Sequence, residues 1–447
     1  MAKKKILVIA PNTWCAQEIA KRNNDYEFIC IEDHFQSHKV SVFNKFRLFW
    51  GLSFERGLRD VLAQARRHKV DGILGADEFL SCLFASAASA ALNLPGSHLK
   101  TELTLQHKYY SRQWQKKIVP EAVPDFGLLD LKTPPEPPFF VKPVRGSASL
   151  MAQIINTKKD LLDYQKIPRL RKCIYLRMLA TFSRIAQARA GLPITKTPLI
   201  YEELLTGMQV TLEGLVYQGQ NQILGIVDSV MYPNSRLGFA RFELPSKLPS
   251  SVQERMKTLA DRLVKEMPYP FGFYNIEFFY RPEHDDIKII EINPRMAFQF
   301  TDLYEKVYGW NTFDLWLKLL TGEALPALGR AGKFARATSF VLRHFQNGYV
   351  EKAPSEQQIQ GVQEKYPEAR ILIQAPEKTF LHEDIFQDME SYRLMTVNIG
   401  GDSEEELAEK LIKIQAALSF EIRPLESANR FKALRKILAP FNQNLRT

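Results

Sequence analysis

A multidomain protein that mixes α/β and α+β architecture is what this 447-residue sequence predicts, on three observations. The chain is longer than one ordinary hydrophobic core supports, so two or three domains are expected. Residues 1–95 alternate short apolar runs with helix-periodic stretches, the pattern of a small parallel α/β domain. From Leu199 onward apolar strands and polar turns dominate, with few helices between them.

The elements follow in order. Lys5–Ala10, Phe28–Ile31 and Gly72–Leu74 read as buried strands, and Ser53–His68 and Phe79–Leu92 as helices, the second closed by Leu94-Pro95-Gly96. The run after Met1-Ala-Lys-Lys-Lys stops at Pro11, too short for a signal peptide's apolar core, and fits a first strand. Phe43, Phe46, Phe49, Trp50 and Phe54 recur at helical spacing. A core or subunit-contact helix is preferred there over an interfacial membrane helix. One helix is expected from Thr101 to about Lys117, then a proline-rich connection, Thr133 to Pro138, that cannot be helical. The strand Phe139–Lys142 and a basic stretch from Arg169 to Arg189 come next. Strands are expected at Leu199–Glu203, Gln209–Tyr217 and Gln222–Asp228, and a helix at about Ser251–Lys265. The last part adds strands at Ala337–Leu342, Ala369–Leu372 and Arg393–Ile399, and a helix from Ser403 to Leu418. A domain boundary is expected near residue 326.

Composition bounds the function. A hydrophobic fraction of 45% and a charged fraction of 25% suit a soluble globular protein. Four scattered cysteines without a CxxC pair read as reduced thiols in a cytoplasmic protein. The formal charge of +10 favours anionic partners. Nucleic acid is disfavoured, because neither an RNA-recognition signature nor zinc-finger spacing occurs. A homodimer and a membrane contact stay open, the second not favoured.

The chemistry concentrates in three segments. Tyr274–Tyr280 and Ile287–Asn293 are apolar strands joined by a short polar turn, hence an antiparallel hairpin. A turn near His284 sets Glu277 opposite Glu291, and strand alternation puts Glu291 and Asn293 on one face. Two carboxylates and an amide oxygen suit Mg²⁺ held together with phosphates. Arg295, just beyond, can offer a bidentate fork to a phosphoryl or carboxylate group. Second, Lys142 ends a strand before Gly146, Ser147 and Ser149, where a lysine and backbone N–H groups can meet phosphate oxygens. Third, the strand ending at Glu202, Glu203, Leu204 and Leu205 bends at Gly207 before Gln209, a hinge able to hold adenine and ribose.

In order, spacing and residue type these segments resemble the ATP-grasp superfamily of ADP-forming ligases, most nearly its carboxylate–amine ligases, relatives of biotin carboxylase and D-alanine–D-alanine ligase. The resemblance covers about residues 5–325. It implies a pre-ATP-grasp α/β domain at 1–100, an ATP-grasp module of two α+β subdomains at 101–325, and a C-terminal α+β domain with a basic tail, Arg430–Ile437, at 326–447. It implies ATP and Mg²⁺ as cofactors, with Mn²⁺ as a second candidate, and small-molecule carboxylate and amine substrates joined through an acyl phosphate. Lys108 and Lys142 would be the nucleotide-binding lysines, and Gly146, Ser147 and Ser149 the phosphate loop. Glu202, Glu203 and Leu204 would form the adenine hinge, and Gln209 would stand where the family often has a ribose-binding Glu. Glu277, Glu291 and Asn293 would be the metal ligands and Arg295 the catalytic residue. Met296-Ala297-Phe298-Gln299 replaces the glycines many members carry after this point. The basic Arg169–Arg189 stretch looks like an insertion, either a clamp on an anionic substrate or a solvated helix face, with the second narrowly preferred. His107 reads as a surface or packing residue. The alternatives are a bicarbonate-activating enzyme and a non-catalytic ATP-binding scaffold on an anionic partner.

Overall fold

The computed structural model describes residues 2–31, 53–76, 79–146, 151–166, 169–233, 235, 238–269, 271–383 and 391–425. Phe43, Phe46, Phe49, Trp50, Ser147, Ser149 and the basic tail lie outside these, as do the side chains of 169–174. Among the described residues no helix is long and apolar enough to cross a membrane.

The chain opens on a three-stranded parallel sheet in the order Tyr26–Ile31, Lys4–Ile9, Gly72–Gly75. Its central strand buries Ile6, Leu7 and Val8 completely, which is why this segment is uniformly apolar rather than alternating. Helices Thr13–Ala20, Phe54–His68 and Ser81–Leu92 accompany it. Asn12 caps the first by accepting from the Cys15 N–H, and Ser53 caps the second by accepting from the Arg56 N–H. Phe54 stacks on Phe84 with centroids 5.0 Å apart in this core.

The single helix expected from Thr101 is two helices, Leu99–Gln106 and Lys108–Ile118, broken at His107. His107 has extended backbone, and its ring Nδ1 accepts from the Tyr110 N–H at 3.5 Å, capping the second helix. Burial pushes the imidazole down to about 4, so it stays neutral and can accept. It is a buried packing residue, against Tyr110 and Phe182, and not a surface one. The break matters because it makes Lys108 the first residue of a helix instead of an interior one.

Two antiparallel sheets follow. The smaller has four strands in the order Phe126–Leu128, Leu199–Glu202, Phe139–Pro143, Gln153–Ile155. Its two outer strands have three residues each, too short for an alternation to register in the sequence. The larger has eight strands in the order Asp286–Asn293, Phe271–Arg281, Met208–Tyr217, Gln220–Met231, Phe239–Leu244, Arg336–His344, Tyr392–Gly401, Arg370–Ile373. Helix Ser250–Lys265 packs Val252, Met256 and Leu263 against Val210, Leu212, Ile276 and Phe278 on one of its faces. The sheet runs without interruption across residue 326, since Arg336–His344 pairs with Phe239–Leu244. The basic stretch is helix Arg169–Ala190. It buries Phe182, Ile185 and Ala186 in the N-terminal core, while Arg184 is exposed and Arg189 pairs with Glu55.

A buried ionic cluster ties the two ends of the chain to its middle. Arg370 Nη1 lies 2.7 Å from Glu18 Oε1 and 3.4 Å from Asp302 Oδ1. Lys306 also pairs with Asp302, and Asn398 Nδ2 donates to it at 2.7 Å. Burial raises the Asp302 carboxyl, but Lys306 and Arg370 outweigh it and hold the group down at about 2. Its folded pKa is thus below the ordinary 3.8, so its stabilisation is complete above about pH 4 and is lost as the pH falls toward 2. Asp302→Asn leaves two buried cations short of a partner and should cost about 3–5 kcal/mol at neutral pH. Denaturant unfolding between pH 2 and 7 should show a shallower acid limb for the variant, and an unchanged limb would contradict this account.

Candidate active site

The hairpin carries the two acids. Glu277 on Phe271–Arg281 is directly paired with Glu291 on Asp286–Asn293, and Asn275 with Asn293. A β-bulge makes this pairing. Tyr280 opposes Ile287 and Phe278 opposes Ile289, yet Glu277 opposes Glu291, leaving Ile290 as the extra residue. In a regular strand Glu291 would share a face with Ile287 and Ile289, which lie in the core. The extra residue turns Glu291 to the other face, where it lines a cleft with Glu277.

That cleft, about 1250 Å³, lies between the four-stranded and eight-stranded sheets. Lys108, Lys142, Gly146, Glu202, Glu203, Leu204, Gln209 and Arg295 line it too. Asn293 stands behind the acids, donating to Glu277 Oε1 at 3.1 Å and Asn275 Oδ1 at 2.9 Å. Gln209 donates to Glu277 Oε2 at 3.1 Å, and Lys108 is ion-paired with Glu291. Arg295 follows in a tight turn, its N–H donating to the Asn293 carbonyl at 2.9 Å.

The two acids have opposite electrostatics. Burial and the facing Glu291 push the Glu277 carboxyl up to about 7. For Glu291 burial acts upward as well, but Lys108 and Lys142 override it and hold the group at about 2. A pair of facing hard oxygen donors, of which Glu277 is only partly relieved by nearby cations, is a donor set that fits a divalent cation.

The hinge differs in part from the sequence reading. Glu202 does not present its side chain to the cleft as a free group. Its carboxylate is buried between Lys142 Nζ at 2.8 Å and Arg112 Nε at 2.7 Å, which hold it at about 2 against its burial. Burial lowers the Lys142 ammonium from its ordinary value, while Glu202 opposes this. Glu203 accepts from Arg281 at 3.1 Å, and its N–H donates to the Asp125 carbonyl at 2.8 Å. Gly207 makes the bend with φ +116°, and a Cβ there would sit 2.3 Å from the Tyr280 carbonyl oxygen. Only glycine fits.

Two residues were missed by the sequence reading. Arg112 is one helical turn from Lys108, a spacing that puts both on one helix face, and that signal could have found it. Fully buried, it donates to Glu202, to Gln115, and to the carbonyls of Ile289 and Ile290 at 2.7 Å each. Glu213 ends the alternation Gln209-Val210-Thr211-Leu212-Glu213, whose polar members share the cleft face. It accepts from the Ala297 N–H at 3.3 Å, and burial pushes its carboxyl up to about 7.

Residues 136–301 match a family model described as an ATP-grasp domain. The chain carries an ATP-grasp domain. Solved structures agree with it in fold along nearly the whole chain. An L-amino acid ligase from Bacillus licheniformis superposes with a TM-score of 0.72 at 16% identity, over 95% of this chain and 100% of that one. Biotin carboxylase from Campylobacter jejuni, solved as a β,γ-ATP complex, gives 0.62 at 16% identity over 95% and 93%. The biotin carboxylase domain of a Hydrogenobacter thermophilus 2-oxoglutarate carboxylase, a dimer solved with MgADP and bicarbonate, gives 0.63 at 13% over 95% and 92%. No curated protein matches by sequence. The matched segment holds Lys142, the hinge and the hairpin, whereas Lys108 and Arg112 precede it. Replacing Arg112 by Met should destabilise the fold by about 3–5 kcal/mol, because Glu202 keeps only Lys142 and two carbonyls lose their donor. Urea unfolding of the variant measures the loss, and a change under 1 kcal/mol would remove Arg112 from this role.

Proposed function

We propose that this protein is an ADP-forming ligase that activates a small carboxylate as an acyl phosphate and transfers the acyl group to an amine. The observation that carries the reading is the opposed Glu277–Glu291 pair, facing Lys108, Lys142 and Arg295 across one cleft. Supporting it, the structures of similar fold include an L-amino acid ligase and ATP- and MgADP-bound biotin carboxylases.

In this reading a carboxylate oxygen of the substrate attacks the γ-phosphorus of ATP, and the bond to ADP breaks. The amine nitrogen then attacks the acyl carbon, loses a proton, and displaces phosphate. Such chemistry needs positioning and charge neutralisation more than a protein nucleophile. Lys108 and Lys142 take the phosphates, Glu202 holds Lys142 in line, and the backbone from Leu204 onward takes the adenine. Gln209 bonds to Glu277 already, which makes ribose binding a secondary role for it. Glu277, Glu291 and Asn293 would hold Mg²⁺, which when bound neutralises phosphate charge. The Arg295 guanidinium meets charge as it builds on the transferring phosphoryl group.

Phosphate release that requires ATP, a carboxylate and an amine together is the expected result. Release that depends on bicarbonate instead marks a carboxylase-like enzyme, and no turnover with any pair sinks the proposal. Lys108→Ala should weaken ATP binding and spare adenosine, as calorimetry on both ligands will show. Lys142→Ala is less clean, because it also strips Glu202 of a buried partner. Arg295→Ala should lower kcat by roughly 10²–10⁴ with little change in ATP affinity, and Arg295→Lys should recover little. Glu291→Gln should abolish turnover without unfolding the protein, and wild-type rates at ordinary Mg²⁺ would refute its assignment.

A further inference from the structure

The cleft reaches well beyond the hairpin acids. At its far end it is lined by Trp14 and Ala76 from the N-terminal domain, and by Met296, Phe298 and Gln299 beyond Arg295. This end lies away from the hairpin acids. Gln299 donates to Ser339 Oγ at 2.9 Å, and Ser339 is on a strand four places across the sheet from the one carrying Glu277. At ~4.8 Å per strand, that is roughly 19 Å.

Both walls of this end are fixed by the buried cluster around Arg370. Arg370 lies over the Trp14 ring, Cζ 4.6 Å from its centroid, and donates through Nη2 to the Trp14 carbonyl at 2.8 Å. Its Nε donates to Gln17 Oε1 at 2.7 Å, and Nη1 meets Glu18 and Asp302. Asn398 carries the same cluster to the opposite wall, donating to Asp302 at 2.7 Å and to the Gln299 carbonyl at 2.8 Å. A cation–π contact and four polar contacts on a guanidinium 7% exposed leave the indole little freedom.

Charged side chains also line this part of the cleft, with Arg241 and Lys247 both paired to Glu243, and the polar groups nearest Trp14 are committed. Asn12 caps its helix and donates to the Ala76 carbonyl at 2.9 Å, and Gln299 bonds to Ser339. The wall around Trp14 itself presents an indole, a methionine and a phenylalanine. An apolar or aromatic group fits such a wall, whereas a charged one set against the indole would lose water there.

We propose that Trp14 is a specificity-determining residue, selecting an organic substrate with an apolar or aromatic side group, and that Arg370 is the positioning residue that holds it. The inference rests on the ligase reading and deepens it. Trp14 serves the organic substrate and contributes nothing to nucleotide binding.

The test uses the whole enzyme, with phosphate release measured over carboxylate–amine pairs whose side groups run from methyl to phenyl. The wild type should favour the bulky apolar members. Trp14→Ala should raise the KM of the preferred organic substrate about tenfold or more, while the KM for ATP stays within about twofold. Trp14→Phe should recover most of the loss. Arg370→Met should shift the organic KM in the same direction, and because it breaks a buried cluster the two Trp14 variants decide the matter if it does not fold. Turnover with an unshifted organic KM, or an ATP KM that rises in step, overturns the role of Trp14 and leaves the ligase reading intact. Absence of any carboxylate- and amine-dependent phosphate release from the wild type overturns both.

Discussion

The Arg112 guanidinium fixes the distance between the two sheets, and the cleft exists because of it. One end of the group is held by Glu202 on the four-stranded sheet, the other by two carbonyls of the edge strand of the eight-stranded sheet. An edge strand has carbonyls that its own sheet cannot satisfy, and the bulge at Ile290 frees one more. A fully buried cation is tolerable only where acceptors surround it on all sides. Neither sheet provides that shell alone. The requirement that Arg112 be satisfied therefore sets how the sheets face each other, and with it the positions of Lys142 and Lys108.

Around that strut the charges are graded. Glu202 lies deepest and is fully compensated, with two cations on one carboxylate. Glu291 is compensated by Lys108 but remains on the cleft wall. Among the described residues Glu277 is the least compensated, accepting from the amides of Asn293 and Gln209, and its carboxyl rises accordingly. Structural carboxylates are satisfied from within, whereas a carboxylate left short of positive charge on a cavity wall is poised for a cation from outside.

A second constraint acts at the opposite end of the cleft. Glu18, Asp302 and Arg370 are far apart in sequence yet meet in a buried cluster. This cluster makes the last part of the chain a wall-builder for the cleft rather than an appendage. The same point emerges from the sheet, whose last three strands in order, Arg336–His344, Tyr392–Gly401 and Arg370–Ile373, continue the one that carries the hairpin.

The sequence by itself determined the elements whose cause is local. Alternation and turn chemistry were enough for the hairpin, apolar runs for the parallel strands, and Ser53 and Ser403 marked helix starts that cap as their side chains allow. The residues singled out for chemistry, where described, gather at one cleft because polar groups on apolar strands must share a face. Tertiary structure alone decided the rest. The break at His107 depends on an imidazole that burial keeps neutral. The face of Glu291 depends on a bulge: counting back from a regular hairpin register Glu277 would oppose Ile290, and one unpaired residue restores the acid pair. The Glu202 side chain became a strut instead of a ligand because two cations, 60 and 90 residues upstream, fold onto it. Local patterns act over a few residues of backbone, but a buried charge is satisfied by whatever the whole fold brings within 3 Å, and no window of sequence contains that information.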